Sequence, residues 1–296
     1  MSETPPNDKK PQPHSRRSLL VTLGGAGLGV AAAGSAAVGA DARPAAAATP
    51  SGTTVKPSCV LSPEEMTGPY YLDIDKVRHT IAEDRTGVPL ELTFMIVDSV
   101  SCRPVRNVAV DIWHCDAGGL YSGYTGYSGP GLPPTDENGH ATPTDDTTFL
   151  RGVQVTDRLG LVRFRTVYPG WYWGRGLHIH LKTIVDASVR PDSVTGGHVA
   201  HTGQLYFPQS VNDKVAAVPP YSSNTTPRLS NAEDFFYSMD NKGPESTMVV
   251  TPLKGNGSIK HGLRASIVLG IDPGATPPPA NPTPPPTSAP TPPPTA

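Results

Sequence analysis

His178 and His180 are the two residues of this sequence whose types and spacing best suit metal binding. Side chains two positions apart in a β-strand project from the same face, about 6–7 Å apart, so both imidazoles can bind one ion. The pair alone is not specific, since surface and structural histidines also occur at this spacing. In one common type of metal site a carboxylate ligand follows the histidine pair by four or five residues, but Ile184 and Val185 occupy these positions after His180. The first acidic residue after His180 is Asp186, six positions on, so a site of two histidines and one carboxylate is not favoured.

Two tyrosines are candidates for the remaining ligands. Tyr172 precedes His178 by six residues, and Tyr121 comes just past the end of a predicted strand. A phenolate is a hard anionic oxygen donor, and Fe(III) is the biological cation that removes a tyrosine proton near neutral pH. Two imidazoles, two phenolates and a hydroxide would hold Fe(III) with almost no net charge. The alternative is that both tyrosines are core residues, since tyrosine in β-proteins usually packs in the interior.

The elements that must position these side chains are short strands. Several segments alternate apolar and polar residues with a period of two, which is typical of half-buried strands. The predicted strands cover residues 90–97, 108–114, 152–155, 161–167, 178–185, 204–207, 247–251 and 265–269. Segments 152–155 and 161–167 are predicted to form a hairpin around 157–160, and helical turns are predicted only at 62–65 and 232–237. Many short strands joined by Gly/Pro-rich turns predict an all-β fold, an antiparallel β-sandwich with long loops and few short helices.

Composition divides the chain into three parts. Residues 1–48 carry Arg16 and Arg17 before an apolar Gly/Ala-rich stretch and small residues suited to cleavage, which is typical of a twin-arginine export signal and spacer. A general secretory signal that happens to contain two arginines is the alternative. Residues 57–271 are predicted to form the folded domain, and 273–296, half of them proline, a disordered tail. We therefore expect a secreted chain, extracellular or associated with the cell wall. Because the twin-arginine route exports folded proteins, often with an inserted cofactor, it favours a metal site.

Charge and cysteine content narrow the classes of partner. Lys and Arg total 24 against 26 Asp and Glu, and the net charge of −2 gives no electrostatic reason to expect nucleic-acid binding. After the signal no apolar run approaches about 20 residues, so the mature chain is not expected to span a membrane. In an oxidising compartment two of the three cysteines can pair. Cys59 and Cys102, both expected near the surface, are the favoured pair, and Cys115 is expected to be a buried thiol.

The other histidines receive structural interpretations. His114 shares a predicted strand with Trp113, and we expect it in a hydrogen-bonded position of the core. His198 and His201 follow a glycine-containing segment, and we expect them in a loop at the surface. None of the three is therefore predicted to bind a metal.

A series of motifs resembles the intradiol ring-cleavage dioxygenases, most closely their secreted, single-domain branch, which is similar to the catechol 1,2- and protocatechuate 3,4-dioxygenases. The motifs are, in chain order, Leu61–Glu64, Thr67–Tyr71, Ile112–His114, Gly119–Tyr121, Pro169–Tyr172, Arg175, His178–His180 and Gly203–Phe207. The resemblance covers most of the predicted domain. It includes four ligand positions in the family's order and two further positions at the substrate site, so it is far more specific than the histidine pair alone.

The resemblance implies a cofactor, a ligand set and a reaction. Fe(III) would be bound by four side chains, namely Tyr121, Tyr172, His178 and His180. Tyr172 and His180 would be the axial ligands, and Tyr172 would leave the metal when substrate binds. Arg175 would stabilise negative charge on the substrate, and Gln204 would position it. The expected reaction is cleavage of a catechol-type ring by O₂ between its two hydroxyl-bearing carbons, giving a muconate-type diacid.

Two departures from the family limit what is carried over. The gap from Tyr172 to His178 is shorter than in the cytoplasmic catechol and protocatechuate enzymes, so their substrate preference is not transferred. The stretch before the first strand is too short for the helical dimerisation segment of catechol dioxygenases, which leaves the oligomeric state open. A second hypothesis is a secreted β-sandwich module that binds polysaccharide or cell wall and has a non-catalytic metal site. The presence of all four ligands argues against it.

Overall fold

This computed structural model describes residues 60–127, 131–255 and 257–278. Within them the strands are β1 (Pro89–Asp98), β2 (Ala109–Trp113), β3 (Arg151–Val155), β4 (Leu161–Val167), β5 (His178–Val185), β6 (Ser188–Arg190), β7 (Ser193–Thr195), β8 (His198–Tyr206), β9 (Val249–Pro252) and β10 (Leu263–Ile271). The helices are α1 (Gln209–Ala216), α2 (Phe235–Ser238) and α3 (Lys242–Glu245), with short 3₁₀ turns at Tyr221–Ser223, Met239–Asn241 and Ile259–His261. All described residues belong to one compact unit.

Two four-stranded sheets form a β-sandwich, which confirms the predicted all-β fold. The first sheet has the strand order β4-β1-β10-β9 and the second has the order β3-β2-β5-β8, with β6 and β7 paired separately. The core lies between the two sheets. Leu92 and Phe94 of β1 face Ile112 of β2 and Ile179 of β5 there, and all four are buried. The two-residue alternation that predicted β1 thus reflects one face turned to this core.

The sandwich is antiparallel except at one strand pair. β1 runs parallel to β10, with Leu90 opposite Leu263 and Asp98 opposite Ile271. The other neighbours within the two main sheets are antiparallel. A parallel pair needs a long connection between its strands, and here almost the whole domain lies between β1 and β10. Residue alternation does not reveal such a pairing, because it is the same for both strand directions.

The predicted hairpin of residues 152–155 and 161–167 is also wrong. β3 pairs with β2 in the second sheet and β4 pairs with β1 in the first, so the turn between them crosses from one sheet to the other. The turn itself forms: Asp157 N donates to Leu161 O at 2.9 Å, and Gly160 has φ +70°. A Cβ on Gly160 would lie 2.4 Å from Ile96 O. Turn residues therefore identified the reversal correctly but not which strands become neighbours.

The helical prediction at 62–65 is wrong, and the one at 232–237 is only partly right. Ser62 N donates to Gly270 O at 2.8 Å and Glu65 N donates to Thr202 O at 2.9 Å, so this segment is extended and bonds to strands. Within the second predicted segment the helix begins only at Phe235, as α2, and the Asp234 side chain caps its N-terminus. Sheet neighbours thus override the local N-cap signal of Ser62.

Several predictions concern residues outside the described part of the chain. These are the export signal at 1–48, Cys59 and the tail beyond residue 278. Cys102 is disulfide-bonded and Cys115 is a free, buried thiol as expected, whereas the choice of Cys59 as the partner stays a prediction. No helix among the described residues is long and apolar enough to cross a membrane.

Candidate metal centre

The second sheet has an inner face that meets the first sheet and an outer face that the loops cover. Within β5, Ile179 and Leu181 belong to the core between the sheets. His178 and His180 therefore point to the outer face. Cross-strand pairing sets their neighbours: His178 lies opposite Tyr206, and His180 lies between Trp113 and Gln204. The indole of Trp113 stacks on the His180 ring at a centroid distance of 5.1 Å.

Two glycines allow the covering loops to approach this face closely. Gly68 has φ +72°, and a Cβ there would lie 3.1 Å from the His180 ring. Gly119 has φ +90°, and a Cβ there would lie 2.3 Å from Trp171 O. Positive φ is strained for residues other than glycine. Both positions therefore favour glycine. Gly68 lets its loop lie against the His180 ring, and Gly119 lets the loop that contains Tyr121 lie against the segment of Tyr172.

The four side chains predicted to bind the metal lie together on the outer face. His178 Nε2 and His180 Nε2 are 3.0 Å apart. The Tyr172 ring lies 5.5 Å from the Tyr121 ring and 5.6 Å from the His178 ring, between centroids. The Tyr121 and His180 rings are 6.3 Å apart. All four residues are buried, so the site is separated from bulk water. Their assignment as ligands stays a prediction.

The donor chemistry of this cluster fits a bound cation. His178 Nδ1 lies 2.8 Å from Gly176 O, so the proton sits on Nδ1 and the Nε2 lone pair faces the cluster. Tyr121 Oη is buried without a hydrogen-bond partner. Burial raises the pKa of Tyr121 and Tyr172 and lowers the pKa of both histidines. The site thus holds neutral donors, one of them unsatisfied, and a multivalent cation would both bind them and favour the phenolate forms.

Arg175 is a buried positive charge that contacts two of these four residues. Its Nη1 lies 3.4 Å from both Tyr172 Oη and His178 Nε2, and its Nε donates to Asp234 Oδ2 at 2.9 Å. Burial is the largest single effect and would lower the pKa of Arg175. The negative charge of Asp234, with further contributions from Tyr172 and Tyr206, more than offsets burial and holds that pKa well above its ordinary value. The predicted active-site arginine is therefore a permanent buried cation beside the cluster.

Gln204 contacts Nη2, the other terminal nitrogen of the Arg175 guanidinium. Its Oε1 accepts a hydrogen bond from Arg175 Nη2 at 2.5 Å, and its Nε2 donates to Met66 O at 3.3 Å. The arginine identifies the amide oxygen, since a guanidinium can only donate. The structure thus brings all six predicted site residues to one place, although it does not test their roles.

Comparison with solved structures decides the family. The chain resembles an intradiol ring-cleavage dioxygenase from Tetranychus urticae, with 33% identity, a TM-score of 0.63 and an alignment covering 74% of this chain and 97% of that one. The chain belongs to the intradiol ring-cleavage dioxygenases. A second dioxygenase structure matches with 33% identity, a TM-score of 0.62 and the same coverage.

A curated relative supports membership of the intradiol dioxygenases. The protocatechuate 3,4-dioxygenase beta chain of Burkholderia cepacia is 28% identical over 164 residues, which are 52% of this chain and 58% of that protein. The match therefore spans little more than half of that relative. No family model matches the sequence.

Several residues at this intradiol site were missed by sequence reasoning. They are Glu65, Tyr70, Trp113, Tyr206 and Asp234. The Tyr70 ring stacks on Tyr121 at 4.6 Å, and Tyr206 Oη lies 3.5 Å from Arg175 Nη2. Asp234 accepts from Gly176 N at 2.7 Å and Phe236 N at 2.9 Å as well as from Arg175. Its position before a helix is typical of an N-cap, but nothing in the sequence indicates the partner across the fold.

Structural positions were predicted for three further histidines, and one of these predictions is confirmed and two are wrong. His114 is fully buried as expected, with Nδ1 2.9 Å from Cys115 O and Nε2 2.9 Å from Thr166 Oγ1. His198 and His201 are not in a loop, because β8 begins at His198. His201 is buried, and its Nδ1 bonds to Glu64 Oε1 at 2.5 Å.

Proposed function

We propose that this intradiol dioxygenase acts with Fe(III) and O₂ on catechol-type rings, breaking the bond between the two hydroxyl-bearing carbons. Both atoms of O₂ enter the product, a muconate-type diacid, so the reaction needs no external reductant. Two findings support the proposal: membership of the family, and the meeting of two phenols and two imidazoles in one buried cluster. The cluster is the observation that carries it.

Tyr121, Tyr172, His178 and His180 would hold the ferric ion. A bound Fe(III) would supply Lewis acidity and the electronic coupling that lets a catecholate react with O₂. Among the described residues no three side chains of the His, Cys, Asp and Glu types form a cluster suited to a metal. The phenols supply the hard, anionic donors that Fe(III) favours.

Tyr172 would accept one of the two catechol protons. A catechol must lose both protons to bind as a dianion. The Tyr172 phenolate oxygen would take up one of them as it gives up its place to the substrate, and the hydroxide of the site would take up the other and leave as water. Arg175 Nη1 lies 3.4 Å from the Tyr172 oxygen. It can donate a hydrogen bond to the oxygen in either protonation state. Net charge in the buried site stays constant during the exchange, which avoids the cost of an unpaired buried charge.

Arg175 and Gln204 would orient the substrate and stabilise its charge. Asp234 fixes the guanidinium through Nε, so the Nη1 side remains directed at Tyr172 and His178. A positive charge already fixed beside the reacting ring stabilises developing negative charge without further reorganisation. Gln204 is held by Arg175 on one side and by the Met66 carbonyl on the other, which limits the orientations of its amide.

We further propose that the protein is secreted by the twin-arginine route and meets catechol-type aromatics outside the cell, such as those released from plant matter. The paired Arg16 and Arg17 before an apolar stretch support this. Export after folding is compatible with a metal site whose ligands come from two distant parts of the chain, Tyr121 in one and Tyr172, His178 and His180 in the other. Loss of export on changing both arginines to lysine would support the route, and unchanged export would contradict it.

Oxygen uptake by the purified chain across a panel of substituted catechols tests the proposed reaction. We expect iron to co-purify, a coloured protein, oxygen uptake, and muconate-type absorbance from at least one substrate. His178→Ala should lose bound iron, colour and oxygen uptake together. A colourless, iron-free wild-type protein that binds polysaccharide would instead support the binding-module hypothesis.

A further inference from the structure

Glu65 is a buried carboxyl group that neither the sequence motifs nor the proposed reaction explains. Its side chain is 1% exposed. Its Oε2 lies 3.0 Å from Tyr206 Oη, and its Oε1 has no hydrogen-bond partner. The backbone bond from Glu65 N to Thr202 O fixes the residue against β8. A buried ionised carboxylate with one partner is costly, so the protonation state of Glu65 has to be decided.

Two carboxyl groups compete for the charge of one arginine at this site. Asp234 accepts from Arg175 Nε, from Gly176 N and from Phe236 N. Glu65 has only the Tyr206 hydroxyl. Hydrogen bonds to the charged form favour ionisation, and a nearby like charge opposes it. Asp234 is therefore the carboxylate of the pair with Arg175, and Glu65 is the group that keeps its proton.

Each element packed around Glu65 contributes a charged or titratable group. Arg175 and Lys242, the latter from α3, favour the ionised form of Glu65, as does the bond to Tyr206 on β8. Asp234, at the start of α2, opposes it. Burial is the largest effect, and it raises the pKa of Glu65 to about 8. Burial thus favours the neutral form of this carboxyl group near neutral pH.

The proton on Glu65 sets the direction of a short hydrogen-bond chain. Tyr206 Oη lies between Glu65 Oε2 at 3.0 Å and Gln204 Oε1 at 3.4 Å, and it has one proton to donate. If Glu65 donates to Tyr206 Oη, the tyrosine proton is free to bond to Gln204 Oε1. If Glu65 is ionised, the tyrosine proton turns to the carboxylate, and Gln204 Oε1 is left with Arg175 alone.

We propose that Glu65 is a positioning residue, a neutral acid that donates to Tyr206 and thereby holds the Gln204 amide beside Arg175 in the orientation that the substrate requires. The effect on substrate binding rests on the proposed function. The direction of the hydrogen-bond chain does not, since it follows from the contacts of the protein alone. The two parts can therefore fail separately.

Infrared spectroscopy of the purified full-length chain tests the proton on Glu65. Wild type minus Glu65→Gln should show the carbonyl stretch of a protonated carboxylic acid near neutral pH, and this band should disappear about two pH units above the pKa of the group. Glu64→Gln is the matched control, because this neighbour contacts His201 rather than Tyr206 and lines the same cavity of about 460 Å³ as Glu65. Wild type minus Glu64→Gln should lack the band. Its absence from the Glu65 difference spectrum would overturn the proposal.

NMR of the Gln204 side-chain amide tests the hydrogen-bond chain without any turnover. With bound iron exchanged for diamagnetic Ga³⁺, or in the chain as purified if no iron is bound, the Gln204 amide signals should shift with pH as Glu65 ionises. Glu65→Gln and Tyr206→Phe should each remove this shift, and Glu64→Gln should keep it. An equal shift in wild type and Glu65→Gln would contradict the proposal, even if no ring cleavage is ever detected.

Steady-state kinetics measure the consequence for the substrate. One neutral hydrogen bond lost at Gln204 should raise KM about three- to tenfold to a plateau above the pKa of Glu65, with a smaller change in kcat. Because catechols also lose a proton in this range, the measured quantity is the ratio of wild type to Glu65→Gln. A ratio that does not change with pH would show that Glu65 has no positioning role. Absence of oxygen uptake in every variant, with the spectroscopic results intact, would reject the proposed function and leave the hydrogen-bond chain standing.

Discussion

The two faces of strand β5 are buried equally but by different means. On the inner face, Ile179 and Leu181 pack against apolar side chains of the first sheet. On the outer face, loops cover His178 and His180 and surround them with polar groups. The inner face gains stability from the removal of apolar area from water. The outer face keeps polar groups out of water at a cost that only a bound ligand or a function explains.

The two faces also differ in how many of their buried polar atoms lack a hydrogen bond. Buried atoms without a hydrogen bond on the outer side include Glu65 Oε1, Trp113 Nε1 and Tyr121 Oη. His114, which reaches the interior between the sheets, has both ring nitrogens bonded. Thr183 Oγ1, in β5, is an exception near the core. A face built for packing satisfies its polar groups, whereas a face built for binding leaves some of them for the ligand.

Removing a ligand from the outer face should have the largest effect. His180→Ala should abolish both bound iron and oxygen uptake, because the remaining donors no longer enclose the cation. His198→Ala, on β8 and bonded to Pro273 O, is the control and should keep its iron. Iron content measured by elemental analysis decides, and a variant with full iron would contradict the ligand assignment.

Breaking the ion pair under the site should have the next largest effect. Asp234→Asn leaves Arg175 buried without its counter-charge and should lower the free energy of unfolding by about 3–5 kcal/mol. The fall in kcat/KM should exceed the fall in iron content, since no ligand is removed. The control is Asp213→Asn. The ion pair of Asp213 with Arg228 is exposed, so this change should lower the free energy of unfolding by less than about 1 kcal/mol. Equal effects of the two variants in urea titrations would contradict the contrast.

A cavity on the inner face should reduce stability and spare the chemistry. Leu181→Ala should lower the free energy of unfolding by about 2–5 kcal/mol, because the side chain is buried in a packed core. Iron per folded chain should stay at the wild-type value. Loss of iron from the folded variant would show that the two faces are not independent.

Acid should weaken the interior through His114. Burial lowers its pKa from 6.5 to about 4, so between these values the unfolded chain binds a proton that the native chain does not. The free energy of unfolding should therefore fall as the pH drops through this window, by about 3 kcal/mol from this group. Urea unfolding at the two ends of the window measures it. His114→Gln should lose that part of the decline, and an unchanged decline would rule out this source.

The sequence predicted the strands better than their partners. Residues 90–97 and 178–185 match β1 and β5 closely, because alternation reports directly which side chains face a core. Alternation contains no information on strand direction, so the parallel pairing of β1 with β10 was missed. The turn at 157–160 showed a reversal, but pairing across the sandwich moved its two strands into different sheets.

The candidate site was predictable where a motif places several residues along the chain. His178 and His180 form one motif, and donor chemistry made Tyr121 and Tyr172 candidates. Resemblance to the family supplied Arg175 and Gln204. Glu65 and Asp234 carry no such signal, since each becomes part of the site only through contacts with segments more than fifty residues away. The charge of each carboxyl group depends on its burial and on its number of hydrogen-bond partners, and both are set only when the chain folds.

Resonance Raman spectroscopy of the iron-loaded protein, excited within its visible absorption band, tests the central claim most directly. We predict vibrations of iron-bound tyrosinate in the wild type, with a separate part of the pattern lost in Tyr121→Phe and in Tyr172→Phe. Tyr127→Phe, a tyrosine outside the cluster, should leave the spectrum unchanged. A wild-type protein that binds iron but shows no tyrosinate vibrations, or a pattern that both cluster variants leave intact, would contradict a ferric centre held by these two phenols.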